Sequence, residues 1–137
     1  MGYCMEQLNS KFKIKKANKA KALEALKKIS TRTNEMGGGS SSGQKWFSWV
    51  DMEYVNKPTL EEALVCWRWH SKLDKKGNVV DIWFEGEKLG NDLFLFETLA
   101  PFVEQGSFIE MSGEDGAMWR WTFKNKKCKE ISPKITW

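Results

Sequence analysis

Residues 107–123 read SFIEMSGEDGAMWRWTF, and this stretch decides the fold class. It contains two β-prone segments on either side of Gly113–Gly116, which has the composition of a hairpin turn. Side chains alternate between the two faces of a strand, so the rings of Trp119 and Trp121 are expected on one face and Arg120 on the other. The stretch therefore predicts an antiparallel hairpin near the end of the chain.

Upstream of this hairpin, the pattern changes repeatedly between strand and helix periods. Apolar residues at helical spacing predict helices over residues 17–30, 60–69 and 93–103. Alternating or β-prone segments predict further strands over residues 11–15, 45–51, 79–87 and 128–135. The order βαβαβαβββ predicts an α+β fold, with three helices mainly on one face of an antiparallel or mixed sheet of about six strands.

The length and composition predict a single domain over residues 1–137. Hydrophobic residues make up 41% of the chain and charged residues 29%, which excludes wholesale disorder. A glycine- and serine-rich segment at about residues 33–44 predicts a flexible loop within the domain. No apolar run approaches the ~18 residues of a membrane span, and Met1–Ser10 lacks the pattern of a secretory signal.

The cysteines and the histidine exclude several kinds of site. Cys4, Cys66 and Cys128 are odd in number and widely spread, which supports neither a disulfide framework nor a zinc site. His70 is the only histidine, so a site with two imidazole ligands is excluded. The chain also has no phosphate-binding loop, dinucleotide fingerprint or nucleophile elbow. We therefore expect no catalytic residues, metal or cofactor, and a reducing, cytoplasmic location.

Tryptophan is unusually frequent, with eight residues in 137, and the tripeptide Trp-Arg-Trp occurs twice. Exposed tryptophan and arginine side chains dominate the binding energy of protein interfaces. Exposed rings beside basic residues also stack on single-stranded nucleic acid. Buried tryptophans simply fill a core, which is the more common role of large aromatic side chains. The sequence leaves these interpretations open.

Charge is distributed unevenly, at +7 over residues 1–45 and −3 over residues 46–137. The lysines of the N-terminal strand and helix predict, with aromatic residues, an alternative function in nucleic-acid binding. These lysines are Lys11, Lys13, Lys15 and Lys19. A third, minor hypothesis is a metal-dependent hydrolase, because Asp81, Glu85 and Glu87 share one face of the predicted strand.

Four stretches resemble small single-domain proteins of bacteriophages and bacterial mobile elements. They are Met1-Gly2-Tyr3, Trp67-Arg68-Trp69, Gly86-Glu87-Lys88-Leu89-Gly90 and residues 112–121, SGEDGAMWRW. The resemblance covers most of the chain outside the glycine- and serine-rich segment. It implies no active site, and it implies a protein that acts by binding a host protein, including bacterial defence machinery.

The favoured hypothesis is therefore a non-enzymatic binding protein that inhibits or recruits a host or defence protein. We expect Trp119, Arg120, Trp121, Glu85 and Glu87 to contact the partner, because tryptophan and arginine are the commonest interface hot spots. No membrane partner is expected.

Overall fold

The computed structural model describes residues 3–29 and 49–133, and these residues form three α-helices and six β-strands. In chain order the elements are β1 (Met5–Lys11), α1 (Lys16–Lys28), α2 (Leu60–Cys66), β2 (Trp69–Leu73), β3 (Val79–Phe84), α3 (Asp92–Leu99), β4 (Phe108–Gly113), β5 (Met118–Lys124) and β6 (Lys127–Ile131). Short 3-10 helices cover Met52–Asn56 and Ala100–Phe102. The predicted loop at residues 33–44 lies outside the described residues.

The strands form two antiparallel sheets, one of four strands in the order β1-β4-β5-β6 and one made of the β2-β3 hairpin. The α+β class is confirmed, but the predicted order βαβαβαβββ is not what is observed, which is βααββαβββ. The predicted strand over residues 45–51 is not observed in its described part, Trp49–Asp51, and residues 45–48 lie outside the described chain. No helix in the described residues is long and apolar enough to cross a membrane.

Strand β2 replaces the end of the predicted second helix. The helix starts as expected, because the Thr59 side chain accepts a hydrogen bond of 3.2 Å from the Glu62 backbone N–H. It ends at Cys66, since Arg68 adopts a left-handed backbone conformation with φ of 73°. The chain therefore reverses at Arg68, and Trp69 begins a strand.

Strand β1 also differs from its predicted position. The strand covers Met5–Lys11 rather than residues 11–15. Phe12 and Ile14 are fully buried, as their alternation with lysines predicts, but they follow the strand. Ile14 still forms an isolated β-bridge with Val79 of β3, so one residue of the predicted strand pairs with a neighbouring strand.

The two sheets are joined along β1 and β3. Backbone hydrogen bonds run from Met5, at the start of β1, to Glu87 (2.8 Å) and from Ile14, beyond its end, to Val79 (3.0 Å). Between them, the Gln7 side-chain amide takes the place of backbone pairing. Its Nε2 donates to the Ile82 carbonyl at 2.9 Å, and its Oε1 accepts from the Phe84 N–H at 2.7 Å. Ser10 Oγ adds a hydrogen bond of 2.6 Å to the Asp81 carboxylate, so two side chains of β1 bridge the gap between the sheets.

Aromatic rings fill the space that the sheets and helices enclose. Trp69 of β2 lies 6.2 Å from Trp121 of β5 and 5.0 Å from Phe96 of α3, measured between ring centroids. Phe12 contacts both Phe96 and Phe123 edge to face. Helix α3 ends at Leu99 and continues as a 3-10 turn, as Pro101 within the predicted helix indicates.

Candidate functional site on the open face of the sheet

Strand β5 separates a buried face of the four-stranded sheet from an exposed one. Trp119, Trp121 and Phe123 are buried, whereas Met118 and Arg120 are exposed, so the predicted alternation is confirmed. Directly paired residues of antiparallel strands share a face. We call the exposed side the open face, formed by Phe108, Glu110, Met118, Arg120, Thr122 and Ile131 with the β1 residues paired to them.

Arg120 and Glu110 form the centre of the open face as a directly opposed cross-strand pair. Arg120 Nη2 lies 2.6 Å and Nε lies 3.2 Å from Glu110 Oε2. Asn9 Nδ2 donates to the other carboxylate oxygen at 3.3 Å. These hydrogen bonds, that of Arg120 first, lower the pKa of Glu110. The Arg120 guanidinium carbon also lies 5.1 Å from the centroid of the Phe108 ring.

Beside this pair, towards the β4-β5 turn, the open face is apolar. Met118 is 43% exposed and Ile131 is 46% exposed. They line one cavity of about 310 Å³ together with Glu110, Arg120 and Pro133. We call this region the apolar pocket.

The end of the open face near the β4-β5 turn carries one acidic side chain. Glu6 shares a row of the open face with Met118, through Ser112, and it is exposed. Glu114 and Asp115 lie in the turn, where Gly116 supplies the left-handed conformation with φ of 86°. Their carboxylates accept from the Cys4 N–H at 2.8 Å and from the Tyr3 hydroxyl, and Tyr3 packs on the buried Trp119, so they are bonded away from the open face.

The opposite end of the open face is basic. Lys11 pairs with Phe108, Lys129 pairs with Thr122, and Lys124 pairs with Lys127 across the β5-β6 turn. This turn has positive φ at both central residues, Asn125 and Lys126, which is the two-residue hairpin geometry. A second cavity of about 350 Å³ lies here, and its lining includes Phe108, Arg120, Thr122 and Lys124.

The predicted partner-binding residues are not gathered at one place. Arg120 is exposed at the centre of the open face, as predicted. Trp121 is fully buried and donates from Nε1 to Glu130 Oε1 at 2.8 Å. Trp119 is also buried and packs against Tyr3. Both side chains therefore belong to the core, although Trp119 retains 8% exposure and is also among the residues that line the apolar pocket.

Glu85 and Glu87 lie on the segment that follows β3. Glu85 Oε1 accepts from Trp83 Nε1 at 3.0 Å and lies 3.7 Å from His70 Nε2, while the His70 and Trp83 rings stack at 5.4 Å. Glu87 is exposed, and its carbonyl oxygen accepts from β1. Within the described chain, no contact joins either carboxylate to Arg120.

The predicted nucleic-acid-binding lysines do not form one surface either. Lys11 belongs to the basic end of the open face, and Lys15 is exposed at the N-cap position of α1, where its side chain makes no capping hydrogen bond. Lys13 is half-buried, and Lys19 is engaged, because its Nζ donates to the Gly77 carbonyl at 2.9 Å and pairs with Glu61. Of these four lysines, only Lys11 is placed on the open face, where it pairs with the half-buried Phe108.

The structure does not bring together the three carboxylates of the metal-dependent hydrolase hypothesis, those of Asp81, Glu85 and Glu87. The Asp81 carboxylate accepts hydrogen bonds from Ser10 Oγ at 2.6 Å and from the Ile82 N–H at 2.8 Å, whereas Glu85 contacts Trp83. Over residues 3–29 and 49–133, no group of three or more His, Cys, Asp or Glu side chains is placed to hold a metal ion. The cysteines are free thiols, and burial raises the pKa of Cys128 to about 12.

Asp92 is the one buried acidic side chain in the described residues, and it has a structural role. It accepts hydrogen bonds from Trp69 Nε1 (2.9 Å), from the Gly90 N–H (2.9 Å) and from Arg68 Nη2 (3.1 Å). Burial raises the pKa of its carboxyl against the opposing effect of Arg68. These bonds fasten the left-handed turn at Arg68 to the start of α3.

Met118 and Ile131 are the functional candidates that the sequence analysis missed. The sequence does contain a signal for Met118, because Met118 and Arg120 are two residues apart on one strand and their side chains therefore lie on the same face. Comparisons with protein-family models, with curated proteins and with solved structures find no match for this chain. The phage resemblance therefore stays an expectation, and the functional proposal rests on the geometry of the open face.

Proposed function

We propose that the protein acts without enzymatic chemistry, by binding a partner protein through the apolar pocket of the open face. The observation that carries this proposal is the position of Met118 and Ile131. Both are more than two-fifths exposed, and both line the same cavity beside the Arg120 guanidinium.

This arrangement has the composition of a protein interface. Monomeric proteins tolerate single exposed apolar side chains, whereas adjacent ones that are rimmed by polar groups indicate interaction sites. Arginine and large apolar side chains in a pocket are typical anchors, and the polar rim excludes water. The exposed Glu6, in the same row of the open face as Met118, favours a partner that presents an apolar side chain next to a lysine or arginine.

In this proposal, the three helices lie mainly on the side of the four-stranded sheet opposite to the open face. Phe96 of α3 packs against Trp121, on the buried face, and α1 contacts both α2 and α3. We further propose a host protein, including bacterial defence machinery, as the partner, and the cytoplasm as the location. The free thiols in the described residues suit a reducing compartment.

The test compares two charge-neutral double variants. Met118→Ser with Ile131→Ser removes the apolar side chains of the pocket. Val65→Ser with Leu73→Ser is the matched control, because these two side chains are 46% and 44% exposed but lie on α2 and at the end of β2. Each protein is immobilised and exposed to host lysate, and the affinity for the protein that wild type retains is then measured.

We expect the pocket variant to bind that protein at least tenfold more weakly, since interface anchors contribute about 2 kcal/mol or more each. The control variant should bind it as wild type does. Equal binding by the two variants, at equal thermal stability, would exclude the apolar pocket as the interface.

A further inference from the structure

We propose that the basic end of the open face is a binding site for single-stranded nucleic acid. The basic end is defined by Lys11, Lys124, Lys127 and Lys129 around the ring of Phe108. It shares no lysine with the apolar pocket and lies on the other side of Arg120, so this inference does not depend on the proposed protein partner.

The first argument is uncompensated positive charge. Lys124 and Lys127 are directly opposite each other, an arrangement of like charges that destabilises an isolated hairpin. Among residues 3–29 and 49–133, none of the four lysines forms an ion pair with a carboxylate. The neighbouring Glu130 is held by Trp121 Nε1 instead. A polyanion would relieve this repulsion.

The second argument is the spacing of the charges. Lys11, Phe108, Thr122 and Lys129 form one row across β1, β4, β5 and β6. Neighbouring strands lie about 4.8 Å apart, so the row is about 14 Å long. Lys124 and Lys127 form a second, shorter row two residues nearer the β5-β6 turn. The four lysines thus lie on both sides of Phe108 along a surface about 14 Å long.

The third argument is the cavity beside that ring, which distinguishes single strands from duplexes. Phe108 is half-buried, and it lines the cavity of about 350 Å³ with Arg120, Thr122 and Lys124. Aromatic rings and arginine guanidinium planes are the surfaces on which unpaired bases stack, and here the Arg120 guanidinium lies over the Phe108 ring, so the two together offer one stacking surface. Bases in a duplex are already stacked and present only their edges. The combination of a ring, a guanidinium and lysines therefore favours an unpaired strand.

The number of lysines predicts the salt dependence of binding. Each neutralised phosphate of a single strand contributes about −0.7 to the slope of log K against log salt. Four lysines give a slope of about −2.8, which corresponds to roughly 50-fold weaker binding when salt rises from 50 to 200 mM.

The experiment titrates the full chain into labelled dT20 or rU20 and measures binding by fluorescence anisotropy. A 20-base-pair duplex and phosphatidylserine vesicles are tested in the same way as alternative polyanions. The variants are Lys124→Ala with Lys127→Ala, and Phe108→Leu, which keeps an apolar side chain in the same place. Lys75→Ala with Lys76→Ala removes the same charge from the exposed β2-β3 turn and is the matched control. Thermal melting verifies that each variant is folded.

We expect dT20 or rU20 to bind more tightly than the duplex and the vesicles do. The β5-β6 lysine variant should halve the salt slope to about −1.4, and the control should leave it unchanged. Phe108→Leu should weaken binding about 5- to 150-fold, the effect of losing a stacked base. No binding, preference for duplex or vesicles, equal effects of the two lysine variants, or indifference to Phe108→Leu would each overturn the proposal.

Discussion

Arg120 borders both cavities of the open face, and its contacts explain why arginine suits this position. Its guanidinium bonds to the Glu110 carboxylate through two nitrogens and lies over the Phe108 ring. A lysine ammonium is a point charge without a plane, so it cannot reproduce both contacts. Arg120 therefore fixes the positions of a carboxylate on one side and a ring on the other.

The pair predicts a measurable titration of Glu110. Because its pKa is lowered from the ordinary value of 4.5, the pair stabilises the fold above that pH and loses its contribution as pH falls through the lowered value. In an NMR titration of the side-chain carboxyl carbons, Glu110 should titrate below 4.5, and Arg120→Ala should return its midpoint towards 4.5. An unchanged midpoint in Arg120→Ala would show that the ion pair is not formed in solution.

Trp121 and Met118 lie three residues apart on one strand, and truncating them should change the free energy of unfolding by very different amounts. Trp121 is fully buried among aromatic rings, so Trp121→Ala should reduce the free energy of unfolding by about 3–5 kcal/mol. Met118 is exposed, so Met118→Ala should change it by less than about 0.5 kcal/mol. Urea denaturation monitored by circular dichroism measures both values. Similar losses in the two variants would contradict the assignment of the two faces.

At the scale of elements, regular patterns were predictable and the reversals between them were not. The period of apolar residues located α1, and the glycines of the β4-β5 turn located that hairpin. In contrast, β2 begins where Arg68 adopts a left-handed conformation without glycine, a conformation that tertiary bonds to Asp92 maintain. No local signal marks such a turn, so Trp69 was assigned to the helix.

The same limit applies to the candidate site. Alternation placed the two rings of Trp-Arg-Trp opposite Arg120, but alternation does not say which face is covered. The answer depends on Phe96 and Trp69, which come from other elements and pack on Trp121. The apolar pocket likewise joins β5 to residues at the end of β6, and alternation alone does not say which of those residues stay exposed.

The Gln7 side chain links β1 to β3, which gives a prediction at the element scale. Gln7→Leu leaves the Phe84 N–H without its partner and the Ile82 carbonyl with only the Ser10 hydroxyl at 3.3 Å, and the unpaired amide should cost about 1–3 kcal/mol if it is not rehydrated. The Phe84 amide should then exchange faster in hydrogen-exchange NMR.

Gln7→Glu is the control for this bridge. The carboxylate still accepts from the Phe84 N–H but no longer donates to Ile82, so the Phe84 amide should stay protected. Equal protection of Phe84 in wild type and Gln7→Leu would mean that the side chain does not hold the two sheets together.

At the scale of the whole molecule, the open face has two ends of opposite charge. Glu6 lies in the row of Met118 at one end, and Lys11, Lys124, Lys127 and Lys129 occupy the other. Arg120 and Glu110 lie between them. A face of this kind suits a protein partner at the acidic, apolar end and a nucleic acid at the basic end, so a partner that itself carries nucleic acid would satisfy both.

The central claim is that the open face, at Met118, is where the partner protein binds. The most direct measurement places a photo-crosslinking amino acid at position 118 in one variant and at position 65, on α2, in another. Both variants are irradiated in host cells, and the adducts are identified by mass spectrometry. We predict one dominant protein adduct from position 118 that is absent from position 65. The same adducts from both positions, or a dominant adduct from position 65 alone, would contradict the claim.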